Sequence, residues 1–172
     1  MNYKPILVVA GTPKSIFFEI FFKSLKLNKF KSPIVLIASS KILKSQMKKI
    51  KIKKEINLIC VQDLKKIKLK NKFINLINVN LKLKKEKEYI KNCFEIAFNI
   101  INSNFTNKLI NGPIDKSNFL NKKFLGVTEY ISEKFKSKKR AMLIYNKKLS
   151  VCPLTTHLPI KMVTQKISQK LI

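Results

Sequence analysis

The single histidine of the chain, His157, is the strongest candidate for catalytic or metal chemistry. It lies in the segment LTTHLP (154–159), after a predicted strand and before a helix that begins at Pro159. From the end of a strand an imidazole can reach a ligand or a metal ion. Catalytic metal sites take three protein ligands, so one imidazole is at most part of a site. The residues alone predict either such a partial site or a histidine that caps or packs against the helix.

Glycine positions are informative because glycine is so rare here. The chain has three glycines, Gly11, Gly112 and Gly126, where average usage would supply about 12. We expect each of them where a Cβ atom would clash. All three follow predicted strands or precede helices, which is where α/β sheets bind ligands. The pattern predicts a shared cleft, and the alternative is an ordinary tight turn at each position.

Two further segments could bind an anion. The sequence NGPIDK (111–116) could form a phosphate-binding turn that leads into a short helix, with Lys116 as a point charge. Thr128 could offer its hydroxyl and backbone amide near the start of another helix, which Glu129 would stabilise electrostatically. Lysine is too abundant here for Lys116 to be specific. The chain has no GxGxxG, Walker or GxSxG motif.

Alternating strands and helices must position these residues. Short apolar runs predict strands at 6–10, 33–38, 56–61, 73–79 and 108–110, and helical periodicity is clearest over 86–102. We also expect a helix capped by Thr12, a helix over 127–135, an antiparallel strand pair at 141–145 and 149–154, and a helix from Pro159 to the last residue. This order predicts an α/β fold, a mostly parallel layered sheet with helices on both faces.

Composition limits the function classes. The chain has 172 residues and a net charge of +28, yet Arg140 is its only arginine. A surface that grips phosphate usually carries arginine, so the charge is better explained by compositional drift than by nucleic-acid binding. The alternative, a basic nucleic-acid-binding protein, requires a clustered lysine face with stacking aromatic residues.

Cysteine usage and hydropathy indicate a cytoplasmic protein. Cys60, Cys93 and Cys152 form no CxxC pair, and we expect all three in apolar surroundings. No apolar run is long enough for a membrane helix, which requires about 18 residues. The last helix has no stop signal, and its apolar residues, including Met162 and Ile167, should be buried.

Three segments together resemble the 4-hydroxythreonine-4-phosphate dehydrogenase family of vitamin B6 biosynthesis. They are GPIDK (112–116), GVTE (126–129) and TTHLP (155–159), in the family's order and at similar spacing. The family has Gly-Pro-x-x-Lys, Gly-His-Thr-Glu and Thr-Thr-His-Leu-Pro at these places, and the last is the most specific. The N-terminal GTP (11–13) also resembles part of a family motif.

The resemblance implies a two-domain fold like that of isocitrate and isopropylmalate dehydrogenases. It also implies NAD- or NADP-dependent oxidation of a small phosphorylated substrate, followed by decarboxylation, in pyridoxal phosphate biosynthesis. A divalent metal ion (zinc, magnesium or cobalt) would be bound in part by His157. Thr128, Val127 and Lys116 would be the substrate-binding positions, and the full-length enzyme would be a cytoplasmic homodimer.

The sequence departs from the family pattern at informative places. Val127 stands where the family has a substrate-contacting histidine, so the substrate could be a different hydroxy acid. Lys14, Ser15, Phe17 and Phe18 stand where the family has mostly small residues and proline. Family members are about twice as long. We therefore expect residues 1–172 to be the N-terminal portion of a truncated two-domain fold that is inactive alone.

Overall fold

The computed structural model describes residues 3–83, 85–120, 124, 126–137, 141–155 and 158–167. The chain divides into two compact units, Met1–Phe119 and Leu120–Ile172. The first unit holds a five-stranded sheet, and the second holds helices and a β-hairpin.

The sheet of the first unit is entirely parallel. Its strands are β1 (Ile6–Val9), β2 (Ile34–Ala38), β3 (Ile56–Leu58), β4 (Ile74–Asn78) and β5 (Leu109–Asn111). They lie in the order β3-β4-β2-β1-β5. The other elements are α1 (Phe17–Leu27), α2 (Ser40–Lys49), a 3-10 turn (Val61–Asp63), α3 (Glu86–Asn102) and α4 (Lys116–Leu120). The predicted α/β fold with a mostly parallel sheet is confirmed.

Burial on both faces explains why the central strands are continuously apolar. On one face, Val8 and Leu36 pack in a buried cluster with side chains of α1 and α2. On the other face, Leu7, Val9 and Ile37 are fully buried. Helix α3 contacts β1 and β2 and contributes no residue to the first cluster, so it covers this second face.

Helix α1 begins later than the sequence predicts. Thr12 was expected to cap it, but the backbone oxygen of Thr12 accepts a hydrogen bond from the Ser15 amide at 3.0 Å in a separate turn. The helix starts at Phe17. Four phenylalanines then fill the first face of the sheet: Phe17, Phe18, Phe21 and Phe22. Their burial, rather than a cap, fixes this end of the helix.

The connections change direction at β1. From β1 the chain continues to β2 on one side, whereas β5 pairs with β1 on its other side. The helices after β1 and β2 lie on one face, and α3, which leads to β5, lies on the opposite face. The carboxyl ends of β1 and β5 therefore flank the topological switch point, the usual ligand position in open α/β sheets.

The second unit contains α5 (Val127–Lys134), β6 (Ile144–Tyr145), β7 (Ser150–Val151) and α6 (Ile160–Lys166). The antiparallel pairing of β6 with β7 confirms the predicted strand pair, although the strands are shorter than expected. Helix α6 does not run to the end of the chain, because it stops at Lys166 and Ile167 has an extended backbone. The expected burial of this helix is also wrong for Met162 and Ile167, which are exposed.

The cysteine prediction is correct for one residue of three. Cys93 lies on the buried face of α3, as its position on the apolar stripe predicts, but Cys60 and Cys152 are exposed. Both lie just past short strands, where the chain has left the sheet. Within the described ranges, no helix is long and apolar enough to cross a membrane.

Candidate active site

The loops after β1 and β5 form one hydrogen-bonded structure at the switch point. The Gly112 amide donates to the Val9 oxygen at 2.7 Å, and the Thr12 amide donates to the Pro113 oxygen at 2.9 Å. The Asp115 amide donates to the Thr12 hydroxyl at 3.0 Å. These bonds cross between segments about a hundred residues apart in the chain, so they hold the two loops together.

Two of the three glycines are required by this contact. Gly11 has a φ of +75°, and a Cβ atom there would lie 2.3 Å from the Pro113 oxygen. A Cβ atom on Gly112 would lie 2.3 Å from the Ala10 oxygen and 2.5 Å from the Phe17 ring. The prediction that glycine persists where a side chain would clash is confirmed at both positions.

Gly126 differs from the other two glycines. It precedes α5 with a φ of −162°, which is extended backbone that any residue adopts. It belongs to the second unit, whereas Gly11 and Gly112 belong to the first. The structure therefore brings two glycines together, and a cleft shared by all three stays a prediction.

The aromatic departures from the family pattern are part of the core. Phe17 and Phe18 are both buried, with ring centroids 5.1 Å apart in an edge-to-face arrangement. The Phe17 ring also stacks on Phe21 at 5.6 Å. Because the Phe17 ring lies next to Gly112, the phenylalanine cluster packs directly against the loop that contains this glycine. Lys14, which precedes them, is exposed.

The predicted phosphate-binding turn at 111–116 is organised around Asp115. Its Oδ1 accepts hydrogen bonds from the Ser117 amide at 3.1 Å, the Ser117 hydroxyl at 2.6 Å and the Asn118 amide at 3.3 Å. The Ser117 hydroxyl, followed by the Asn118 amide, lowers the pKa of Asp115 below its ordinary value. The carboxylate thus occupies the amides of α4 that an external anion would use. Lys116 is exposed beside it, and its role in substrate binding stays a prediction.

Val127 and Thr128 form the first turn of α5, in the second unit. Val127 is half-buried, and Thr128 is exposed, which leaves its hydroxyl accessible. Glu129 follows, with its Oε2 atom buried and without a hydrogen-bond partner among the described residues. Glu129 lies in the first turn of α5, where a carboxylate can interact favourably with the helix dipole, and its stabilising role stays a prediction.

His157 and Thr156 lie outside the described residues. In the remainder of the chain that the structure describes, no three His, Cys, Asp or Glu side chains are grouped closely enough to hold a metal ion. The described residues therefore do not supply a metal donor set. His157 as a metal ligand stays a prediction.

Sequence reasoning missed the role of the Thr12 side chain, which was assigned to a helix cap. The partner of a threonine that lies after a strand and directly before a proline can be predicted only when the neighbouring strand is known. Once β5 is placed next to β1, the Thr12 hydroxyl is seen to hold the Asp115 backbone. The distant partner, and not the local sequence, determines what Thr12 does.

The sheet and its connections define a class: α/β proteins with an open parallel sheet that has helices on both faces. Comparison with known families is more specific. The model of the family described as pyridoxal phosphate biosynthetic protein PdxA matches residues 29–172. The chain belongs to this family, and the resemblance predicted from its motifs is confirmed.

Solved structures share the fold. A 4-hydroxythreonine-4-phosphate dehydrogenase from Burkholderia phymatum matches with a TM-score of 0.82 and 19% identity, over 99% of this chain and 55% of that one. The enzyme of that name from Klebsiella pneumoniae matches with a TM-score of 0.78 and 20% identity, over 98% of this chain and 55% of that one. The chain thus spans about half the length of these structures. No curated protein matches it.

Proposed function

We propose that this chain is the N-terminal portion of a dehydrogenase for 4-phosphooxy-threonine (4-hydroxythreonine-4-phosphate) in pyridoxal phosphate biosynthesis. The observation that carries the proposal is the family match over residues 29–172. The matched structures are about twice as long. That difference supports an active site completed by a C-terminal half, without which residues 1–172 are inactive.

The proposed reaction has two steps. The substrate hydroxyl loses a proton while its carbon transfers a hydride to NAD or NADP, which gives a 3-oxo acid. The carbon–carbon bond to the carboxylate then breaks, carbon dioxide leaves, and the remaining electron pair takes up a proton to give an aminoketone phosphate. A bound zinc, magnesium or cobalt ion would polarise the reacting oxygen.

Each candidate residue is assigned a role from its chemistry, and for Thr128 and Lys116 an exposed position supports that role. Thr128 is exposed in the first turn of α5, where its hydroxyl and backbone amide can hydrogen-bond the substrate. Lys116 offers an exposed positive charge to the substrate phosphate. His157 contributes one metal ligand. Val127 contacts the substrate only through apolar atoms, because valine can neither hydrogen-bond nor carry a proton.

We also propose that the full-length protein is a cytoplasmic homodimer. Exposed apolar side chains in the second unit support a partner surface there, including Ile144, Tyr145 and Ile160. Sedimentation of the full-length form as a monomer at micromolar concentration would refute this part.

A turnover assay tests the proposed function. The 172-residue chain is mixed with 4-phosphooxy-threonine, NAD or NADP and a divalent metal ion, and formation of the reduced cofactor is followed by absorbance. We expect no turnover from the chain alone, and measurable turnover from a form that includes the C-terminal half. In that longer form, His157→Ala should abolish turnover. Robust turnover that survives His157→Ala would defeat the assigned roles.

A second candidate keeps the family and changes the substrate, and Val127 favours it. A buried or half-buried valine in place of a hydrogen-bonding histidine weakens the recognition of a polar substrate group, by about tenfold for one charge-assisted hydrogen bond. Other phosphorylated or carboxylated hydroxy acids should be screened with the longer form. If Val127→His improves kcat/KM for 4-phosphooxy-threonine but not for the best alternative, Val127 sets the substrate preference. Equal effects would exclude that role.

A further inference from the structure

A cavity lies in the first unit, next to β2 and β4. Its volume is about 680 Å³, and it opens where these strands end and where α2 begins. Its polar lining consists chiefly of Lys14, Ser39, Lys41, Asn80, Lys82 and Glu86. None of the residues assigned to substrate or metal binding contributes to it.

Ser39 carries an unused hydroxyl in the wall of this cavity. The residue is 3% exposed, and it immediately precedes α2. Its amide donates to the Tyr89 hydroxyl at 3.0 Å, and its backbone oxygen accepts from the Leu43 amide at 2.9 Å. The side-chain hydroxyl caps no amide of α2 and has no other partner in the described part of the chain. The hydroxyl is therefore available to hydrogen-bond a group bound in the cavity.

The start of α2 offers donors to the same space. The Ser40 amide donates to the Asn78 side chain at 2.8 Å, but the amides of Lys41 and Ile42 have no acceptor among the described residues. Both residues line the cavity. The first turn of α2 contains no acidic residue. Its partial positive charge is therefore not neutralised from within the helix.

The charges around the cavity favour an anion. Lys14, Lys41 and Lys82 are exposed at its rim, against one carboxylate, Glu86. Lysine is so common in this chain that three lysines alone would not indicate a site. The uncapped Ser39 hydroxyl, which lines the cavity, and the two free amides carry the argument, because neither depends on composition.

We propose that this cavity binds a phosphate group, held by the Ser39 hydroxyl and the amides of Lys41 and Ile42. The lysines supply long-range attraction, and a hydroxyl together with helix N-terminal amides supplies the directional bonds that phosphate oxygens accept. The cavity shares Lys14 with the loop after β1, but none of the residues whose hydrogen bonds join the two switch-point loops lines it. It does not depend on the proposed dehydrogenase function.

Nuclear magnetic resonance of the ¹⁵N-labelled chain tests this proposal. Inorganic phosphate is titrated at constant ionic strength with sodium chloride, because the net charge produces weak general binding of anions. The amides of Lys41 and Ile42 should shift and saturate. Ser39→Ala should raise the Kd about tenfold, as expected for a bond to a charged group. Glu86→Gln should lower the Kd about threefold by removing a like charge.

Lys68→Gln is the matched control, because Lys68 lines a different cavity, next to the amino ends of β1 and β2. It should leave the Kd unchanged. Lys14→Gln, on an exposed side chain, provides a second variant that cannot impair folding. It should weaken phosphate binding about threefold by removing an attractive charge.

Titration with NAD distinguishes the sources of the phosphate. A lower Kd for NAD at the same two amides would assign the site to a dinucleotide, and binding of inorganic phosphate alone would assign it to free phosphate or a simple ester. Either result supports a phosphate site. Shifts that do not saturate, or a Kd that Lys68→Gln raises as much as Ser39→Ala does, would overturn it.

Discussion

Replacing Gly112 by alanine tests the packing that holds the two loops together. The added Cβ atom would lie 2.3 Å from the Ala10 oxygen and 2.5 Å from the Phe17 ring, where real Cβ atoms stay beyond 3.0 Å. The oxygen belongs to the backbone directly after β1, where the Ala10 amide is bonded to the Ile37 oxygen, and the ring is buried among other phenylalanines, so neither can move freely. We expect a loss of about 3 kcal/mol, the upper end of the usual cost of overpacking.

Urea unfolding followed by circular dichroism measures this loss, with extrapolation to zero denaturant. Asn111→Ala is the matched control, since this exposed neighbour donates a single hydrogen bond of 3.1 Å to the Gly112 oxygen. The control should cost at most about 1 kcal/mol. Hydrogen exchange should also accelerate at β1 and β5 in the glycine variant alone. If Gly112→Ala costs no more than the control, the close approach of the two loops is not real.

Three other changes have defined outcomes. Thr12→Val should cost about 1 kcal/mol in urea unfolding because the Asp115 amide loses its acceptor, whereas Thr12→Ser should restore stability. Asn75→Ala should cost about 3 kcal/mol, because this fully buried side chain donates to two backbone oxygens at 3.0 and 3.2 Å; a loss below 1 kcal/mol would refute its structural role. Burial raises the pKa of Cys93 to about 12, so its thiol stays neutral at pH 8. In the folded chain a thiol reagent should therefore label the exposed Cys60 far faster than it labels Cys93. Equal labelling rates for the two cysteines would contradict the burial of Cys93.

The parallel sheet could be predicted from the sequence because its strands are buried on both faces. A run such as Ile6–Val9 has no polar face that could be exposed to solvent, so its composition and length alone indicate a central strand. The long amphipathic period of α3 was equally clear. Both patterns lie within a short stretch of residues, so they can be recognised in a single sequence.

Element ends and burial of isolated residues could not be predicted as well. Helix α1 starts at Phe17 because the phenylalanine cluster needs that position, and no capping residue marks it. Cys60 lies in an apolar run but is exposed, because β3 is an edge strand that ends at Leu58. The start of a helix and the exposure of one residue depend on which elements pack next to it. The residues near it in the sequence do not specify those neighbours.

In the candidate site, residues of a type that is rare in this chain could be predicted from the sequence, whereas residues of common types could not. Rare glycines pointed to Gly11 and Gly112, and both proved to be places where a side chain would clash. A common residue such as Ser39 carried no signal, although its unpaired hydroxyl lies in a cavity. Long-range hydrogen bonding determines the role of such a residue.

Calorimetric titration of 4-phosphooxy-threonine into a form that includes the C-terminal half tests the central claim most directly, because it requires no turnover. We expect saturable binding that Thr128→Val weakens about tenfold through loss of one hydrogen bond to a charged ligand, while the exposed control Lys68→Gln leaves it unchanged. Binding that is absent, or that Thr128→Val does not alter, would contradict the assignment of this chain as the substrate-contacting portion of the dehydrogenase.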